Sequence, residues 1–146
     1  MQRKQLWLTI LVLCFTALQL AGCGQSAAKY TKVEPYELIK GEDGINTVIL
    51  TEKAAERLQM ASTAVVTEQL DGESRLVVPY HALIYDTNGG TWVYTNPEPL
   101  TYVRAEVAVD HIEGDKVFLT TGPDAGTEVA IASVAELYGT DTGVGK

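Results

Sequence analysis

The residue types that most readily carry out acid–base or metal chemistry are scarce in this sequence. Its 146 residues include two histidines, His81 and His111. A metal centre normally draws several histidine, cysteine or carboxylate ligands at short spacing, and neither histidine has such neighbours. Asp110 precedes His111, but consecutive residues of a strand point to opposite faces, so this carboxylate cannot orient that imidazole as a catalytic pair requires. We therefore predict no enzyme active site, no metal and no cofactor.

One cysteine, Cys23, has a specific chemical signature. Arg3 and Lys4 precede an apolar run from Leu6 to Leu18, which is followed by the tetrapeptide Leu20-Ala21-Gly22-Cys23. A basic start, an apolar run and small residues before a cysteine are typical of a bacterial lipoprotein signal peptide. The run is shorter than the ~20 residues that a transmembrane helix needs. The sequence thus predicts cleavage before Cys23, lipidation of its thiol, and attachment to the bilayer on the extracytoplasmic side.

The mature segment is strongly acidic. Nine of the eleven basic residues remain once Arg3 and Lys4 leave with the signal peptide, against nineteen acidic ones, which gives a charge of about −10. Phosphate binding draws on clusters of lysine and arginine, so a nucleic-acid partner is disfavoured. An electrostatic attraction to anionic lipid is disfavoured for the same reason. The acylated Cys23 is therefore the predicted contact with the membrane.

The mature chain is organised around the stretch from Val78 to Val109. Two arms rich in β-branched and aromatic residues, 82–85 and 91–95, flank residues 86–90, whose asparagine and glycines tolerate a tight reversal. After Pro97 and Pro99, apolar and polar residues alternate, with Val103, Ala105, Val107 and Val109 on one face and Arg104, Glu106 and Asp110 on the other. This period of two predicts a hairpin followed by a strand with one buried face and one solvent-exposed face.

The remaining elements are predicted from local signals. A reversal at Asp71-Gly72 separates two strands, Thr51 is placed to cap a short helix from Glu52 to Met60, and a last helical turn is predicted at 132–138. The predicted strands outside the hairpin region are 47–50, 62–67, 75–78, 116–120 and 127–131. The sequence thus predicts a mainly β domain, a small β-roll or barrel of about six to eight strands with one short helix.

Three segments surround this predicted domain. We assign residues 1–22 to the lipoprotein signal peptide and 23–32 to a flexible tether, because the latter are small and polar. The β-rich domain is predicted from residue 33 to 138. Residues 139–146 are rich in glycine and are predicted to form a disordered tail.

Aromatic residues concentrate in and beside the hairpin. Aromatic cross-strand pairs stabilise a sheet by roughly 0.2–1 kcal/mol each, which is one interpretation of the cluster. The other interpretation is an exposed patch, because tryptophan and tyrosine dominate interface hot spots. The candidate partner-binding residues are Tyr85, Trp92, Tyr94, Pro97, Pro99 and Tyr102.

Taken in order, these segments resemble part of the membrane fusion proteins, the periplasmic adaptor subunits of RND-type efflux pumps. The family pattern has a V-P-x-x-A-hydrophobic stretch, a short turn, a strand with V-Y, a strand with Arg and Val, and a G-[LP]-x-x-G-x-x-V turn. The corresponding segments here are Val78 to Ile84, Asn88 to Gly90, Trp92 to Tyr94, Val103 to Val107 and Gly122 to Val129. Residues 48–66 are similar to the entry segment of heavy-metal-type adaptors. The resemblance covers roughly residues 47–138 and implies an adaptor's membrane-proximal domain.

The chain departs from the family pattern between these two stretches. Adaptors have there a β-barrel domain, a lipoyl-like domain and a long α-helical hairpin that reaches the outer-membrane channel, whereas this chain has only residues 68–73. The membrane-proximal domain of an adaptor is built from both ends of its chain. The resemblance therefore implies a lone membrane-proximal domain, closed by a hairpin at Asp71-Gly72.

The function implied by this resemblance is that of a lipid-anchored, non-enzymatic accessory protein. It would dock on a membrane transporter or on a full-length adaptor. Two alternatives stay open at the level of sequence. One is a surface lipoprotein that binds a small ligand or a metal, for which a pocket lined by Tyr80, His81 and Tyr102 would be the sign. The other is a structural remnant without a transport role.

Overall fold

The computed structural model describes residues 34–42 and 44–143. The predicted signal peptide, Cys23 and the tether lie outside the described residues. Eleven strands are present: β1 (Tyr36–Ile39), β2 (Thr47–Leu50), β3 (Ser62–Ala64), β4 (Val66–Leu70), β5 (Glu73–Pro79), β6 (Ile84–Tyr85), β7 (Thr91–Glu98), β8 (Thr101–Glu106), β9 (Ala108–Glu113), β10 (Lys116–Thr121) and β11 (Glu128–Ala130). Two α-helices accompany them within these ranges: α1 (Glu52–Arg57) and α2 (Val134–Thr142). Neither helix offers an apolar stretch long enough to span a bilayer, a statement that covers the described residues only.

These strands form two antiparallel sheets. The large sheet has the order β1-β2-β8-β7-β11-β3, with β6 also paired to β7, and the small sheet has the order β4-β5-β10-β9. The predicted mainly β class is confirmed. The described residues contain more strands than the six to eight predicted, and their sheets do not close into a barrel.

Two crossing points account for two of the strands beyond the eight predicted, and β1, for which no strand was predicted, is the third. The chain passes from the large sheet to the small sheet between β3 and β4, at Val65, and again between β8 and β9, at Val107. Both valines are buried in the core between the sheets. Each predicted continuous strand is therefore divided between two sheets, because a buried valine occupies the bend.

The large sheet is buried on both of its faces. Val93 and Tyr94 are adjacent in β7, point to opposite faces and are both fully buried. The inter-sheet core, on the face toward the small sheet, contains Val65, Val78, Ala82, Leu83, Val93, Val107, Val117, Leu119 and Val129. The helix-side core, on the other face, contains Val48, Leu50, Ala54, Tyr94, Tyr102, Ala130, Val134 and Leu137. The domain thus has three layers, with the large sheet between the small sheet and the helices.

The hairpins predicted from turn residues are present. Asp71 and Gly72 have φ angles of 52° and 85°, as a type I′ turn requires, and they join β4 to β5. The central hairpin is also confirmed, but its first arm is shorter than predicted because residues 80–82 form a 3-10 turn. The second arm is longer: β7 continues through Pro97, and a register shift between Thr95 and Glu98 accommodates the proline.

Helix α2 corrects the predicted boundary of the domain. It continues through residues 139–142, which were predicted as part of a disordered tail. Its buried side is supplied by Val134, Leu137 and Asp141. The glycine and threonines of this segment indicate a frayed end when they are considered locally, whereas packing against the large sheet holds the segment helical.

Helix α1 begins where it was predicted to begin. The Thr51 side chain accepts a hydrogen bond from the Ala54 backbone N–H at 3.2 Å. The helix ends at Arg57 rather than Met60, because Gln59 takes a left-handed backbone conformation with a φ of 51°.

We expect Thr51→Ala to lower the free energy of unfolding by about 1 kcal/mol, because the substitution removes the cap of α1. Urea titration followed by circular dichroism measures the change. Thr51→Ser is the matched control: it keeps the hydroxyl and should stay within a few tenths of a kcal/mol of the parent chain, roughly. An equal loss in both variants would contradict the capping role.

Candidate functional site

The candidate partner-binding residues differ widely in exposure. Tyr94 and Tyr102 are buried in the helix-side core, so the prediction that they contact a partner is wrong. Their phenol rings pack beneath the helices instead, which is the structural interpretation of the aromatic cluster. Trp92 is only partly exposed, whereas Tyr85 is 54% exposed. Pro97 and Pro99 are also exposed.

The exposed candidates lie at opposite ends of β7. Tyr85 pairs with Thr91 at the start of β7, whereas Pro97 lies near its end. Six residues of strand at ~3.3 Å each separate these positions by roughly 20 Å. Tyr85 therefore lies at the opposite end of β7 from Pro97, and the binding of a partner by Tyr85, Pro97 and Pro99 stays a prediction.

The most specific polar arrangement in the described residues is a buried cluster that sequence analysis missed. We define the Asp141 cluster as Asn46, Tyr94, Arg104 and Asp141. The Asp141 side chain has no exposed surface, and it accepts hydrogen bonds from the Tyr94 hydroxyl at 2.8 Å and from the Asn46 amide at 2.9 Å. The same amide donates to the Asp141 backbone carbonyl at 3.0 Å. These bonds fasten the end of α2 to the large sheet.

Arg104 supplies the positive charge of this cluster. Its Nε lies 3.4 Å from the Asp141 carboxylate, and its side chain is only 13% exposed. The Nε has no well-directed hydrogen bond among the described residues. The guanidinium instead lies over the Trp92 ring, 4.6 Å from its centroid, and 5.9 Å from that of Tyr138. Charge attraction and cation–π contacts therefore hold this arginine.

Arg104, on β8, is not exposed to solvent as predicted. The alternation along residues 103–109 assigned this arginine to solvent. Tyr94 and Arg104 are register partners, so both side chains point to the helix side of the sheet. That face is covered because α2 packs against it, and the carboxylate of Asp141 compensates the charge that is buried as a result.

The Tyr94 hydroxyl is held in its protonated form. Burial raises the pKa of Tyr94 above the ordinary range of a phenol, and the hydrogen bond to the Asp141 carboxylate raises it further. A protonated phenol donates to a carboxylate, whereas a phenolate beside it would place two negative charges together. The cluster consequently acts as a structural cross-link between α2 and the large sheet.

We expect stability to fall with rising pH above about 10, the ordinary pKa of an unfolded tyrosine. Because the pKa of Tyr94 is raised in the folded state, the stability that this hydroxyl contributes is fully present below the pKa of an unfolded tyrosine. It is lost as the pH rises above that value. The slope from one such group is about 1.4 kcal/mol per pH unit. Urea titrations at several pH values above neutrality measure it.

Tyr94→Phe separates this contribution from that of Tyr102, whose pKa is also raised by burial. The variant should be less stable at neutral pH, because Asp141 loses a donor, and its stability should depend less steeply on pH above 10. An unchanged slope would contradict the assignment to Tyr94.

Trp92 has a second structural contact, with the turn of the central hairpin. Its indole N–H donates to the Asp86 carboxylate at 3.0 Å, and the backbone N–H groups of Asn88 and Gly90 donate to the same carboxylate at 2.8 Å each. These bonds, that from Trp92 first, lower the pKa of Asp86. Trp92 thus orders the turn and supports Arg104.

A groove of about 270 Å³ lies along β4 and β5. Val66, which is 48% exposed, contributes apolar surface to it. The Lys116 ammonium lies 2.7 Å from both carboxylate oxygens of Glu68 beside this groove. Its lining consists of Thr63, Ala64, Val66, Glu68, Val77, Val78, Pro79, Asp115 and Lys116. This groove is one concave surface in the part of the chain that the structure describes.

The pocket that would have indicated a small-molecule binder is not assembled. Tyr102 is buried in the helix-side core, whereas Tyr80 and His81 are exposed on the 3-10 turn. His81 lies 3.5 Å from the Asp115 carboxylate. His111 stacks obliquely on Phe118.

The histidine, cysteine and carboxylate side chains of residues 34–42 and 44–143 include no group of three that could hold a metal ion. Asp110, the carboxylate beside His111 in sequence, accepts a hydrogen bond from the Arg75 guanidinium at 2.8 Å. That carboxylate therefore belongs to a surface ion pair.

No known family model matches the chain, and no match was found among curated proteins or solved structures. The resemblance to efflux adaptors consequently depends on the sequence motifs described above.

Proposed function

We propose that this chain is a lipid-anchored, non-enzymatic accessory protein whose β domain docks on a membrane transporter or on a full-length adaptor. The supporting observation is the way in which the domain is closed. β2 pairs with β8 and β3 pairs with β11, so the first arm of the chain completes a sheet built by the second. A two-residue turn at Asp71-Gly72 joins the arms at the point where adaptors have their additional domains.

This closure is what a lone membrane-proximal domain requires. The membrane-proximal domain of an adaptor is assembled from both ends of its chain, and here the two arms pair without any segment between them except the turn. The Leu70↔Glu73 pair closes the hairpin in register with the four pairs that follow it. The resemblance in sequence and the pairing of the arms therefore support the same assignment.

The small size of the described helices argues for docking on a protein near the bilayer rather than for bridging to an outer-membrane channel. The longest helix among the described residues, α2, has nine residues and a length of about 14 Å at 1.5 Å per residue. An adaptor reaches an outer-membrane channel through a long helical hairpin, which the described residues do not contain. A domain of this size contacts a protein close to the bilayer that anchors it.

Chemical crosslinking in intact cells tests this function. The full chain carries a C-terminal affinity tag, the cells are treated with formaldehyde, and captured proteins are identified by mass spectrometry. We expect a transporter subunit or an adaptor to be enriched. The matched control is a fusion of residues 1–33 to an unrelated soluble domain, which reproduces the predicted anchor without the β domain.

The proteins captured with the full chain are compared with those captured with the control fusion. Recovery of a transporter or adaptor with the full chain, and not with the control, supports docking by the β domain. Equal recovery in both captures would contradict it, because proximity at the membrane would explain the result. Capture of abundant lipoproteins alone would also contradict it.

A further inference from the structure

One edge of the small sheet is available for pairing. β4 is the terminal strand of this sheet, so one of its sides is hydrogen-bonded to β5 and the other has no strand beside it within the described residues. Its five residues pair with β5 in unbroken register. A regular edge strand can accept a further strand, because part of its backbone N–H and C=O groups point outward.

The turn geometry identifies the outward-facing groups. In a two-residue type I′ hairpin, the residues that flank the turn, Leu70 and Glu73, exchange both of their backbone hydrogen bonds. Bonded and non-bonded pairs then alternate along the ladder. The N–H and C=O groups of Gln69 and Thr67 consequently point away from β5.

The backbone hydrogen bonds of Val65, the residue at the bend between β3 and β4, agree with this alternation. Its N–H donates to the Thr127 carbonyl at 2.9 Å, and its carbonyl accepts from the Gly126 N–H at 2.8 Å. The turn before β11 therefore covers the edge at Val65. Within the described residues no backbone hydrogen bond of this kind reaches Thr67 or Gln69. The available edge thus runs from Val66 to Leu70, about 17 Å at ~3.3 Å per residue.

The other edges are less suited to strand addition. β9, at the far side of the small sheet, has two register shifts against β10 and bears Asp110 and Glu113. Bulges and charges of this kind protect an edge from pairing. β3 has only three residues, and β1 begins directly after Pro35, which has no N–H to donate.

The charge around β4 determines which kind of segment would pair with its edge. The described residues include eighteen acidic and six basic side chains, and segment 66–73 has three carboxylates and no base. Lys116 pairs with Glu68, and Arg75 pairs with Glu73 and Asp110, so these cations are outnumbered by carboxylates and a net negative charge remains beside the edge. A basic segment is therefore favoured. A second copy is disfavoured, because an antiparallel pairing centred on β4 places Glu68 against Glu68.

We propose that the β4 edge binds an extended segment of the partner protein by strand addition, with apolar and basic side chains alternating along that segment. On the groove side, an apolar side chain would lie beside Val66, and a lysine or arginine would compete with Lys116 for the Glu68 carboxylate. Backbone bonds to Thr67 and Gln69 supply the attachment, and the groove supplies the specificity. This inference rests on the proposed docking function and names the surface that performs it.

Amide hydrogen exchange on the full chain in detergent micelles tests the inference. The probe is a capped hexapeptide of alternating lysine and valine, and the control probe alternates glutamate and valine. We expect the Thr67 and Gln69 amides to exchange about tenfold more slowly when the lysine peptide occupies nine-tenths of the chain. Protection without any peptide that rises with protein concentration would assign the edge to a second copy and overturn the proposal.

Gln69→Pro provides the matched variant. Proline removes an N–H that does not belong to the β4–β5 ladder, so it should prevent strand addition and leave the hairpin paired. Gln69→Thr should keep the protection. If the proline variant does not fold, the exchange data of the parent chain still decide. No protection at Thr67 and Gln69, or protection confined to β9, overturns the proposal.

The two proposals fail in different ways. Absence of a transporter or adaptor from the cellular capture contradicts the docking function and makes no use of the peptide. Capture of such a protein without peptide protection at β4 leaves docking supported and overturns the β4 edge as its surface.

Discussion

Asp141→Ala is expected to lower the free energy of unfolding by about 3–5 kcal/mol. The substitution removes the carboxylate that compensates Arg104, whose Nε is buried. It also leaves the Tyr94 hydroxyl without its acceptor and the Asn46 amide with only the backbone carbonyl of residue 141. A buried charge without its partner is far more costly than an exposed one, because no water replaces the lost interaction. Urea titration followed by circular dichroism measures the loss.

An exposed carboxylate in the same helix, α2, provides a matched control for this effect. Glu136→Ala removes an exposed carboxylate from the same helix and should change stability by at most about 0.5 kcal/mol. Asp141→Asn should fall between the two, since the amide oxygen still accepts hydrogen bonds but the negative charge is gone. Similar losses for Asp141→Ala and Glu136→Ala would contradict the role given to the Asp141 cluster.

Leu119→Ala is expected to cost about 2–5 kcal/mol, because it empties part of the inter-sheet core. Leu119 is 1% exposed on β10 and belongs to the cluster that joins the two sheets. The loss combines the transfer free energy of the removed carbons with the cavity that they leave. The fluorescence of Trp92, in the large sheet, reports unfolding during a urea titration.

Ile112→Ala is the matched control, since it truncates an aliphatic side chain of the same size on the neighbouring strand β9. Ile112 is 40% exposed, so its truncation should cost clearly less than that of Leu119. If both variants lose the same free energy, the packing of the two sheets through Leu119 is not as described.

Local sequence signals determined much of the fold. The alternation that begins at residue 103, the Asp71-Gly72 turn and the Thr51 cap each depend on a few neighbouring residues. The structure contains strand β8, which ends at Glu106, a hairpin and a capped helix at these places. Such features are predictable because backbone conformation and capping are decided over one or two turns of chain.

The burial of polar side chains was not predictable in the same way. Asp141 is buried by contacts with Tyr94 and Asn46, which are 47 and 95 residues away in sequence. An aspartate between two threonines near the end of a chain has the composition of a disordered tail when considered alone. Arg104 was assigned to solvent for a related reason, since alternation defines two faces of a strand but not what covers them.

The division of strands between two sheets also escaped prediction. Residues 62–67 have the composition of one continuous strand, but the chain bends at Val65, and β3 and β4 belong to different sheets. Only the packing of the inter-sheet core makes this valine a bend rather than part of a strand. The available edge of β4 is a consequence of that bend.

Site-specific photocrosslinking in intact cells tests most directly that the domain docks on a transporter or adaptor through the β4 edge. A photoreactive amino acid is placed in the full chain at Gln69, on that edge, and at two exposed control positions, Tyr85 in the large sheet and Ile112 on β9. We expect a crosslink to one transporter or adaptor subunit from Gln69 and little or none from the controls. A crosslink to that subunit from Tyr85 or Ile112 but not from Gln69, or none from any position, would contradict it.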